Sequence, residues 1–317
     1  MKYYAGVDLG ATFLKCGIIA GDGTLLCTDK ISTEKDRAAE AIAADTTRLV
    51  TALAQRANVT LSGVGIGAPG TVNSREGVVV YSNNLRWNRV SLAEEVQSGV
   101  NAPVYAVNEA NAAALGEQFC GAGKPYRDVV FLTLGTGIGS GIVIDGKLYE
   151  GYKSAGAEIG HTVISLGGEK CTCGRRGCFE AYASAAALIR QTVRAMKRHE
   201  ESKLWEISHG DLNAVDGKTP FDALRLGDKT AADVVDRYVE YLSEGIANLC
   251  NEFRPEAVLL GGGIGAEGKT LLQPLTQAVA EKIYGGAEYA PVEILQATLG
   301  GDAGIYGAAR YAMLRQA

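Results

Sequence analysis

Four residues in one glycine-rich stretch have the side chains and the spacing of a metal site. His161 is followed by Cys171, Cys173 and Cys178, in the pattern His-x9-Cys-x-Cys-x4-Cys. Three thiolates and one imidazole complete a tetrahedral zinc shell with no open position for water, which is the structural kind of zinc site. Cysteines this close together in a reducing compartment favour a metal over a disulfide. We therefore predict a structural Zn2+ that orders a loop over residues 160–178.

Three glycine clusters follow short apolar runs that we predict to be strands. They lie at residues 63–67, 135–139 and 261–265. Glycine lets the backbone approach a ligand and direct N–H groups at anionic oxygens, as phosphate-binding loops do. A tight turn in a crowded sheet uses glycine as well, so each cluster taken alone leaves both interpretations open.

The third cluster also opens a segment that imitates two nucleotide-binding motifs. Residues 263–270 match G-x-x-x-x-G-K-[ST] and contain G-x-G-x-x-G. A P-loop enzyme needs an acid at a later strand end to hold Mg2+, yet the one strand predicted after this segment ends in Gln296 and Ala297. A dinucleotide fold needs its acid at the end of the next strand, and Glu293 lies inside that strand. We therefore reject both the P-loop and the dinucleotide interpretations.

Composition and charge exclude several classes of protein. Of the 317 residues, 47% are hydrophobic and 21% are charged, which is typical of a globular chain with one large or two medium domains. The net charge of −5 leaves no basic footprint for nucleic acid, and no run reaches the roughly 18 apolar residues of a membrane span. The first ten residues enter a strand pattern without the features of a secretory signal. We expect a cytoplasmic protein with reduced thiols and with neither a nucleic-acid nor a membrane partner.

Apolar periodicity and turn residues place these motifs on an alternating series of strands and helices. Strands are predicted over residues 3–9, 13–20, 24–31, 61–67, 104–107, 129–134, 138–144, 257–260 and 292–295. Helices are predicted over residues 36–57, 109–119, 179–197, 269–283 and 302–314, with a further long helix around 234–246. Residues 199–228 are polar and show no regular pattern.

The order of these elements predicts two similar α/β halves. Each half opens with antiparallel strands around a glycine turn, and residues 7–12 and 132–137 occupy equal positions in the two halves. Two such halves leave a cleft in which a ligand can bind. We predict an N-terminal domain over residues 1–120, joined by the last helix at 302–317, and a larger C-terminal domain over 121–301 that contains the zinc loop.

Taken together and in this order, the motifs resemble those of the ROK family of sugar kinases and repressors. The similar segments are a first phosphate motif at Asp8–Thr12, a catalytic segment at Asn108–Glu117, a second phosphate motif at Leu134–Gly139, a zinc signature at Gly160–Ser184, an adenosine motif at Leu260–Gly263 and a C-terminal segment at Leu299–Ala309. The similarity extends over nearly the whole chain. It implies the actin-like ATPase fold, which is ribonuclease H-like, with two α/β domains and a cleft between them.

The resemblance also implies an activity. The family's repressors carry a DNA-binding helix-turn-helix before the first strand, and this chain begins at that strand, so we expect the kinase branch. ATP and Mg2+ would be the cofactors. Residues 180–190 look most like the glucokinase branch, which phosphorylates glucose to glucose 6-phosphate. N-acetylmannosamine, N-acetylglucosamine, fructose and allose are alternative acceptors, and a homodimer or homotetramer is expected.

Each residue that matches a family motif takes an implied role. The sugar would be bound by Asn84, Asn108, Glu158, His161 and Glu180. The nucleotide and its Mg2+ would be bound by Asp8, Gly10, Thr12, Lys15, Gly135, Thr136, Gly137, Gly262 and Gly263. His161 would bind zinc through one ring nitrogen and the sugar through the other.

One residue departs from the family pattern. Where the family has Asn-Asp, this sequence has Asn108-Glu109. The family's aspartate accepts the proton of the attacking hydroxyl, and Glu109 would be the catalytic base here. Glutamate reaches one methylene further, and a misplacement of about 1 Å can cost on the order of 10² in rate. The substitution therefore leaves open a second hypothesis, a sugar-binding sensor with a weakened kinase site.

Overall fold

The structure, a computed structural model, describes residues 1–286 and 288–316. The strands are β1 (Tyr3–Leu9), β2 (Phe13–Ala20), β3 (Leu25–Ser32), β4 (Leu61–Ala68), β5 (Thr71–Asn73), β6 (Val78–Ser82), β7 (Trp87–Val90), β8 (Val104–Asn108), β9 (Val129–Leu134), β10 (Ile138–Ile144), β11 (Lys147–Tyr149), β12 (Ala257–Gly261) and β13 (Glu293–Gln296). The helices are α1 (Ala39–Arg56), α2 (Leu92–Gln97), α3 (Glu109–Cys120), α4 (Glu180–Ala183), α5 (Ala185–Met196), α6 (Leu204–Ile207), α7 (Thr219–Arg225), α8 (Lys229–Phe253), α9 (Gly262–Gly265), α10 (Lys269–Lys282) and α11 (Ala303–Leu314). Among these residues, no helix has the combined length and apolar character of a membrane span. Ala317, the last residue of the predicted C-terminal segment, lies outside the described residues.

Two five-stranded sheets repeat one strand order. The first is ordered β3-β2-β1-β4-β8 and the second β11-β10-β9-β12-β13. In the first sheet β1 pairs antiparallel with β2 and parallel with β4, and β4 pairs parallel with β8. In the second sheet β10 and β11 are antiparallel, and β12 and β13 are parallel. The repeated order confirms the predicted pair of similar α/β halves.

Glycines in the first sheet let helix α11 approach it closely. A Cβ atom added at Gly6 of β1 or at Gly65 of β4 would overlap the backbone carbonyl groups of Ile305 and Ala308 in α11. Helix α11 also packs against α3, where Gly307 allows an equally close approach. The last helix thereby fixes the backbone of β4 and of β1, and the end of β1 carries the predicted site residue Asp8.

The chain forms two compact units that are delimited differently from the predicted domains. The first unit contains residues 1–131, 141–157 and those from 298 onward, and the second contains residues 132–140 and 158–297. The second half of β10 belongs to the first unit because it lies against α3. A Cβ atom at Gly141 of β10 would lie only 2.8 Å from the carbonyl oxygen of Ala110 in α3.

Several segments differ from the predicted elements, among them α2 and β11, which have no predicted counterpart. The helix predicted over 179–197 is divided into α4 and α5, because Ser184 is extended and its Oγ accepts from the Ala187 N–H at 3.1 Å as the N-cap of α5. Residues 199–228, predicted to be irregular, contain the short helices α6 and α7. The hydrophobic cluster in this region consists of Met196, Leu204, Val215, Ala223 and Ala231. The antiparallel sheet β5-β6-β7 has no predicted counterpart, because strands of three to five residues show too few alternations.

Candidate active site and metal centre

The carboxyl ends of the parallel strands β1 and β8, with β4 between them, bring predicted site residues of the first unit to one sheet edge. Asp8 lies near the end of β1, opposite Gly67 of β4, and Asn108 ends β8 opposite Ala68. Lys15 of β2 pairs with Asp8 across the antiparallel ladder. Ligands of open α/β sheets bind at this edge of the strands.

The surroundings of Asp8 have opposing effects on the pKa of its carboxyl group. Burial raises the pKa of its carboxyl group, Lys15 opposes this rise, and Asp302 adds to it. The Lys15 Nζ also donates to the Gly301 carbonyl oxygen at 2.9 Å, which ties the turn before α11 to β2. Gly304 leaves room for the Asp8 carboxyl group, because a Cβ atom there would lie 2.7 Å from the Asp8 Cγ and displace it. A cation bound at Asp8 would favour the ionised carboxylate that burial disfavours.

The β1–β2 turn, which carries Gly10 and Thr12, is braced by a residue that the sequence analysis missed. Thr33 donates its hydroxyl to the Gly10 carbonyl oxygen at 2.7 Å and its N–H to the Thr12 carbonyl oxygen at 3.0 Å. Within the turn, the Gly10 N–H donates to the Phe13 carbonyl oxygen at 3.0 Å. The Thr12 residue itself is exposed. Thr33 therefore fixes the backbone of the predicted phosphate turn and leaves the Thr12 side chain accessible.

Asn108 is the N-cap of α3, and its side chain uses all of its hydrogen-bonding positions. Its Oδ1 accepts from the N–H groups of Ala110 at 2.8 Å and Asn111 at 3.1 Å. Its Nδ2 donates to the Gly70 carbonyl oxygen and to Glu109 Oε2, each at 2.9 Å. An amide offers two donors and two acceptor lone pairs, so a sugar hydroxyl could bind Asn108 only by replacing one of these partners. The bond to Glu109 makes Asn108 a group that orients the predicted base.

The other predicted sugar ligands are divided between the two units. Asn84 belongs to the first unit and is exposed in the turn between β6 and β7. Glu158, His161 and Glu180 belong to the second unit. Glu158 precedes a short 3-10 turn that ends at His161, and the His161 N–H donates to the Glu158 carbonyl oxygen at 3.1 Å.

The four predicted zinc ligands come together at one point. The donor atoms of His161, Cys171, Cys173 and Cys178 all lie within 4.8 Å of one another. The Sγ of Cys171 is 3.7 Å from the Nδ1 of His161, and the Sγ atoms of Cys173 and Cys178 are 3.7 Å apart. With Zn–S bonds of about 2.3 Å, tetrahedral sulfur ligands are separated by roughly 3.8 Å. The spacing therefore fits a Zn2+ ion, and it leaves the Nε2 of His161 for a second contact.

The loop that carries the cysteines turns back on itself through two glycines. The Gly174 N–H donates to the Cys171 carbonyl oxygen at 3.1 Å, and Gly174 and Gly177 have φ angles of 90° and 83°, which glycine adopts without strain. Burial raises the pKa of the Cys178 thiol to about 12. A hydrogen bond from the Arg175 backbone lowers the pKa of the exposed Cys173. A bound Zn2+ would hold both sulfurs as thiolates.

Glu180 connects the metal loop to the glycine loop between β9 and β10. Its Oε1 accepts from the Thr172 hydroxyl at 3.0 Å, and its Oε2 accepts from the Ile138 N–H at 3.0 Å. Gly137 leaves room for this carboxylate, because a Cβ atom there would lie 2.4 Å from the Glu180 Oε2 and displace it. Since Thr172 lies between two of the metal ligands, metal binding and the orientation of Glu180 depend on the same short segment.

The two predicted nucleotide loops of the second unit are neighbours. Strands β9 and β12 are adjacent in the sheet, and Gly262, with a φ of 80°, approaches the Leu134 carbonyl group so closely that a Cβ atom would lie 2.5 Å from its oxygen. A Cβ atom at Gly135 or Gly263 would meet no heavy atom of the described residues within 4 Å. Thr136 is exposed beside them. Packing does not require glycine at these two positions, and the open space suits close approach by a ligand.

The segment that imitates a P-loop has a different geometry. Residues 262–265 form the short helix α9, and α10 begins at Lys269. Lys269 is exposed and lines a surface depression with Leu272, Gln273 and Thr276 of the same helix. A P-loop lysine instead reaches the phosphates that the loop N–H groups hold. This geometry supports the rejection of a P-loop.

Comparison with known proteins decides the family. The sequence profile of the ROK family matches residues 4–315. The chain belongs to the ROK family. The glucokinase of Thermotoga maritima is 38% identical over 307 residues, which cover 96% of this chain and 95% of that protein.

Solved ROK structures are similar to this ROK chain along its whole length. The crystal structure of a ROK family glucokinase from Streptomyces griseus in complex with glucose and AMPPNP has a TM-score of 0.82 and 36% identity, and covers 99% of this chain and 100% of that chain. The ROK hexokinase from Thermus thermophilus has a TM-score of 0.86 and 30% identity, with 99% of both chains covered. These similarities confirm the predicted actin-like ATPase fold.

Glu117 connects the catalytic segment, which it ends, to the C-terminal segment that begins at Leu299. Its Oε1 accepts from the Leu299 N–H at 2.7 Å, and its Oε2 accepts from the N–H groups of Ala122 at 2.9 Å and Thr298 at 3.1 Å. Its side chain is fully buried, with 0% exposure. Nothing in a single sequence pairs residues that are 182 positions apart. The buried carboxylate thus holds the start of the C-terminal segment, which leads to Gly301.

We expect Glu117→Gln to lower the stability of the protein by about 1–3 kcal/mol, because an NH2 group would replace an oxygen that accepts buried backbone N–H groups. Urea unfolding followed by circular dichroism measures the change. Glu200→Gln, at an exposed glutamate, is the matched control and should leave the unfolding midpoint in place. An unchanged midpoint in Glu117→Gln would contradict the role given to this carboxylate.

Proposed function

We propose that this chain is an ATP-dependent glucokinase, which transfers the γ-phosphoryl group of ATP to glucose and releases glucose 6-phosphate and ADP. The observation that carries the proposal is the similarity along almost the whole chain, at 36% identity, to a ROK glucokinase whose structure contains glucose and AMPPNP. Phosphoryl transfer relies on positioning and charge more than on covalent help from the protein. The groups brought together in each unit are suited to such positioning.

Glu109 is the proposed catalytic base. It is the first residue of α3, and a helix N-terminus favours the ionised form of a carboxylate. Asn108 holds one carboxylate oxygen at 2.9 Å and so restricts the direction of the other. As the glucose hydroxyl oxygen attacks the γ-phosphorus, its proton passes to Glu109. The bond to the β-phosphate oxygen breaks, and the negative charge of that oxygen leaves with ADP.

ATP and Mg2+ are the proposed cofactors. Mg2+ prefers carboxylate and phosphate oxygens, and when bound it would neutralise charge on the phosphates. Asp8 would hold it, with Lys15 keeping the adjacent turn in place through Gly301. The phosphates would be bound by Gly10, Thr12, Gly135, Thr136 and Gly137, and the adenosine by Gly262 and Gly263.

Zn2+ is proposed as a structural ion, one per chain, held by His161, Cys171, Cys173 and Cys178. Reduced thiols at this site support a cytoplasmic location. Glu158, Glu180 and the Nε2 of His161 would bind sugar hydroxyls, together with Asn84. Asn108 would serve the sugar mainly through its bond to Glu109. A homodimer or homotetramer remains a prediction, which light scattering of the purified protein would test.

Lys269→Ala is expected to leave kcat and the KM for ATP within a few-fold of wild type. Its side chain is exposed on α10, and the proposed site gives it no contact with the phosphates. A P-loop lysine contacts the β- and γ-phosphates, and its loss would abolish most of the activity. Steady-state kinetics with varied ATP distinguish the two cases. A collapse of kcat would restore the P-loop interpretation.

A panel of sugars tests the proposed acceptor. ADP release, coupled to NADH oxidation, would be measured with glucose, fructose, allose, N-acetylglucosamine and N-acetylmannosamine. The proposal expects the highest kcat/KM for glucose. A higher value for another sugar would move the proposal to that acceptor. Sugar binding without turnover would favour the second candidate, a sensor, which is motivated by the glutamate at position 109.

A further inference from the structure

The second unit contains a cavity of about 410 Å³ into which arginines project from two helices. Arg190 and Arg194 lie on α5, Arg198 follows in the next turn, and Arg237 lies on α8. This volume is in the range of small-molecule sites. The cavity does not include any residue to which a role in glucose phosphorylation is given above.

The charges around this arginine cavity do not balance. Arg194 pairs with Glu169 at 2.6 Å, and Arg190 donates to the Ala181 carbonyl oxygen at 2.5 Å. Within the described residues, no ion pair is formed by Arg190, Arg198 or Arg237. Four arginines and the two acids that line the cavity, Glu169 and Asp233, leave a net charge of 4 − 2 = +2.

Helix geometry explains only part of this arrangement. Basic residues are favoured at a helix C-terminus, which accounts for Arg194 and Arg198 at the end of α5. Arg237 lies inside the 25-residue helix α8, one helical turn after Asp233, which lines the same cavity. Arg237 adds a guanidinium group from α8 to the three arginines of the α5 segment, so that two helices contribute positive charge to the cavity.

The spacing of the arginines indicates the class of ligand. Arg190 and Arg194 are one helical turn apart, about 6 Å along the axis, and Arg198 follows after one more turn. Guanidinium groups bind phosphate through paired hydrogen bonds, and arginines placed along two helical turns and on a second helix offer enough donors for more than one phosphoryl group. Tyr182 and Tyr241, with ring centroids 4.7 Å apart, add an apolar part to the wall. We propose that the arginine cavity binds a small molecule that carries two or more phosphoryl groups, a function separate from the proposed kinase reaction.

Isothermal titration calorimetry tests this site directly. The protein would be saturated with ADP and glucose, and then titrated with fructose 1,6-bisphosphate, with tripolyphosphate and with glucose 6-phosphate. We expect at least one of the first two probes to bind with a Kd below about 1 mM, and the monophosphate to bind at least tenfold more weakly. Binding should weaken with added salt, because it depends on exposed charges. Binding of fructose 1,6-bisphosphate would indicate a phosphorylated sugar as the ligand, and binding of tripolyphosphate would indicate a free oligophosphate.

The variant R198A/R237A should weaken this binding at least tenfold and keep the melting temperature, since both side chains are exposed. Lys197→Ala removes one positive charge from the exposed residue next to Arg198, which does not line the cavity, and should bind within twofold of wild type. No binding by wild type, or equal binding by R198A/R237A, would overturn the proposal. A third outcome would also overturn the proposal: wild type binds none of the phosphate probes, and R198A/R237A loses self-association. The arginines would then belong to a contact between two copies of the chain. These readouts do not depend on kinase activity.

Discussion

Replacing Glu109 by glutamine is expected to lower kcat for glucose phosphorylation by about 10² to 10⁴-fold. Glutamine keeps the size and polarity of the side chain and can still accept the bond from Asn108, but it cannot take up the proton of the sugar hydroxyl. The KM for glucose should change much less, because sugar affinity is assigned to other side chains. Steady-state ADP release at varied glucose measures both parameters.

Two companion variants make this experiment specific. Glu40→Gln removes a glutamate from the first turn of another helix, α1, and should keep the wild-type rate. Glu109→Asp restores the family residue and shortens the reach by one methylene. Activity at or above wild type would mean that the shorter side chain also reaches the hydroxyl, and a loss would mean that the backbone has adapted to glutamate. Wild-type turnover in Glu109→Gln would remove this residue from the mechanism.

Cys178→Ser is expected to abolish stoichiometric zinc binding and to lower the melting temperature by on the order of 10 °C. Cys178 is fully buried and lies two residues before Glu180, in a loop with little apolar content of its own. Serine is a poor zinc ligand, so the loop would lose the ion that orders it. The KM for glucose should rise as well, because Thr172 orients Glu180 from within the metal loop.

Elemental analysis and thermal unfolding of the same preparations measure this effect. Cys27→Ser changes a cysteine that is outside the metal cluster and should keep one zinc per chain. Metal-free wild-type protein with unchanged melting temperature and unchanged kinetics would contradict a structural role for zinc.

Local patterns were sufficient for much of the fold. The strands β1, β2, β9 and β10 are predicted to the residue, because each is a run of apolar and β-branched residues that ends at a glycine turn or at a polar residue. The metal cluster is equally local, since three of its ligands lie within eight residues. The break at Ser184 is hidden in a helical pattern, because only the three-dimensional structure places its hydroxyl on the Ala187 N–H.

The candidate site depends on contacts that no local pattern contains. Lys15 reaches the Gly301 carbonyl oxygen across 286 positions, and Thr33 braces a turn more than twenty residues earlier. Asn108 illustrates the same limit at short range. Its position in the motif predicts a sugar ligand, and the structure adds that its side chain caps α3 and holds Glu109. The motif therefore predicts which functional group is present at a position, and the hydrogen bonds to neighbouring residues determine the role of that group.

The central claim, that this chain phosphorylates glucose with ATP, is tested most directly by 31P nuclear magnetic resonance of the reaction itself. Purified wild-type protein would be mixed with ATP, Mg2+ and glucose, with Glu109→Gln as a parallel sample. The account predicts that the γ-phosphate signal of ATP decreases while the signals of ADP and of a sugar 6-phosphate ester increase in equal amounts, and that Glu109→Gln shows little of this change in the same time. Unchanged ATP in the wild-type sample, or release of inorganic phosphate without a sugar ester, would contradict it.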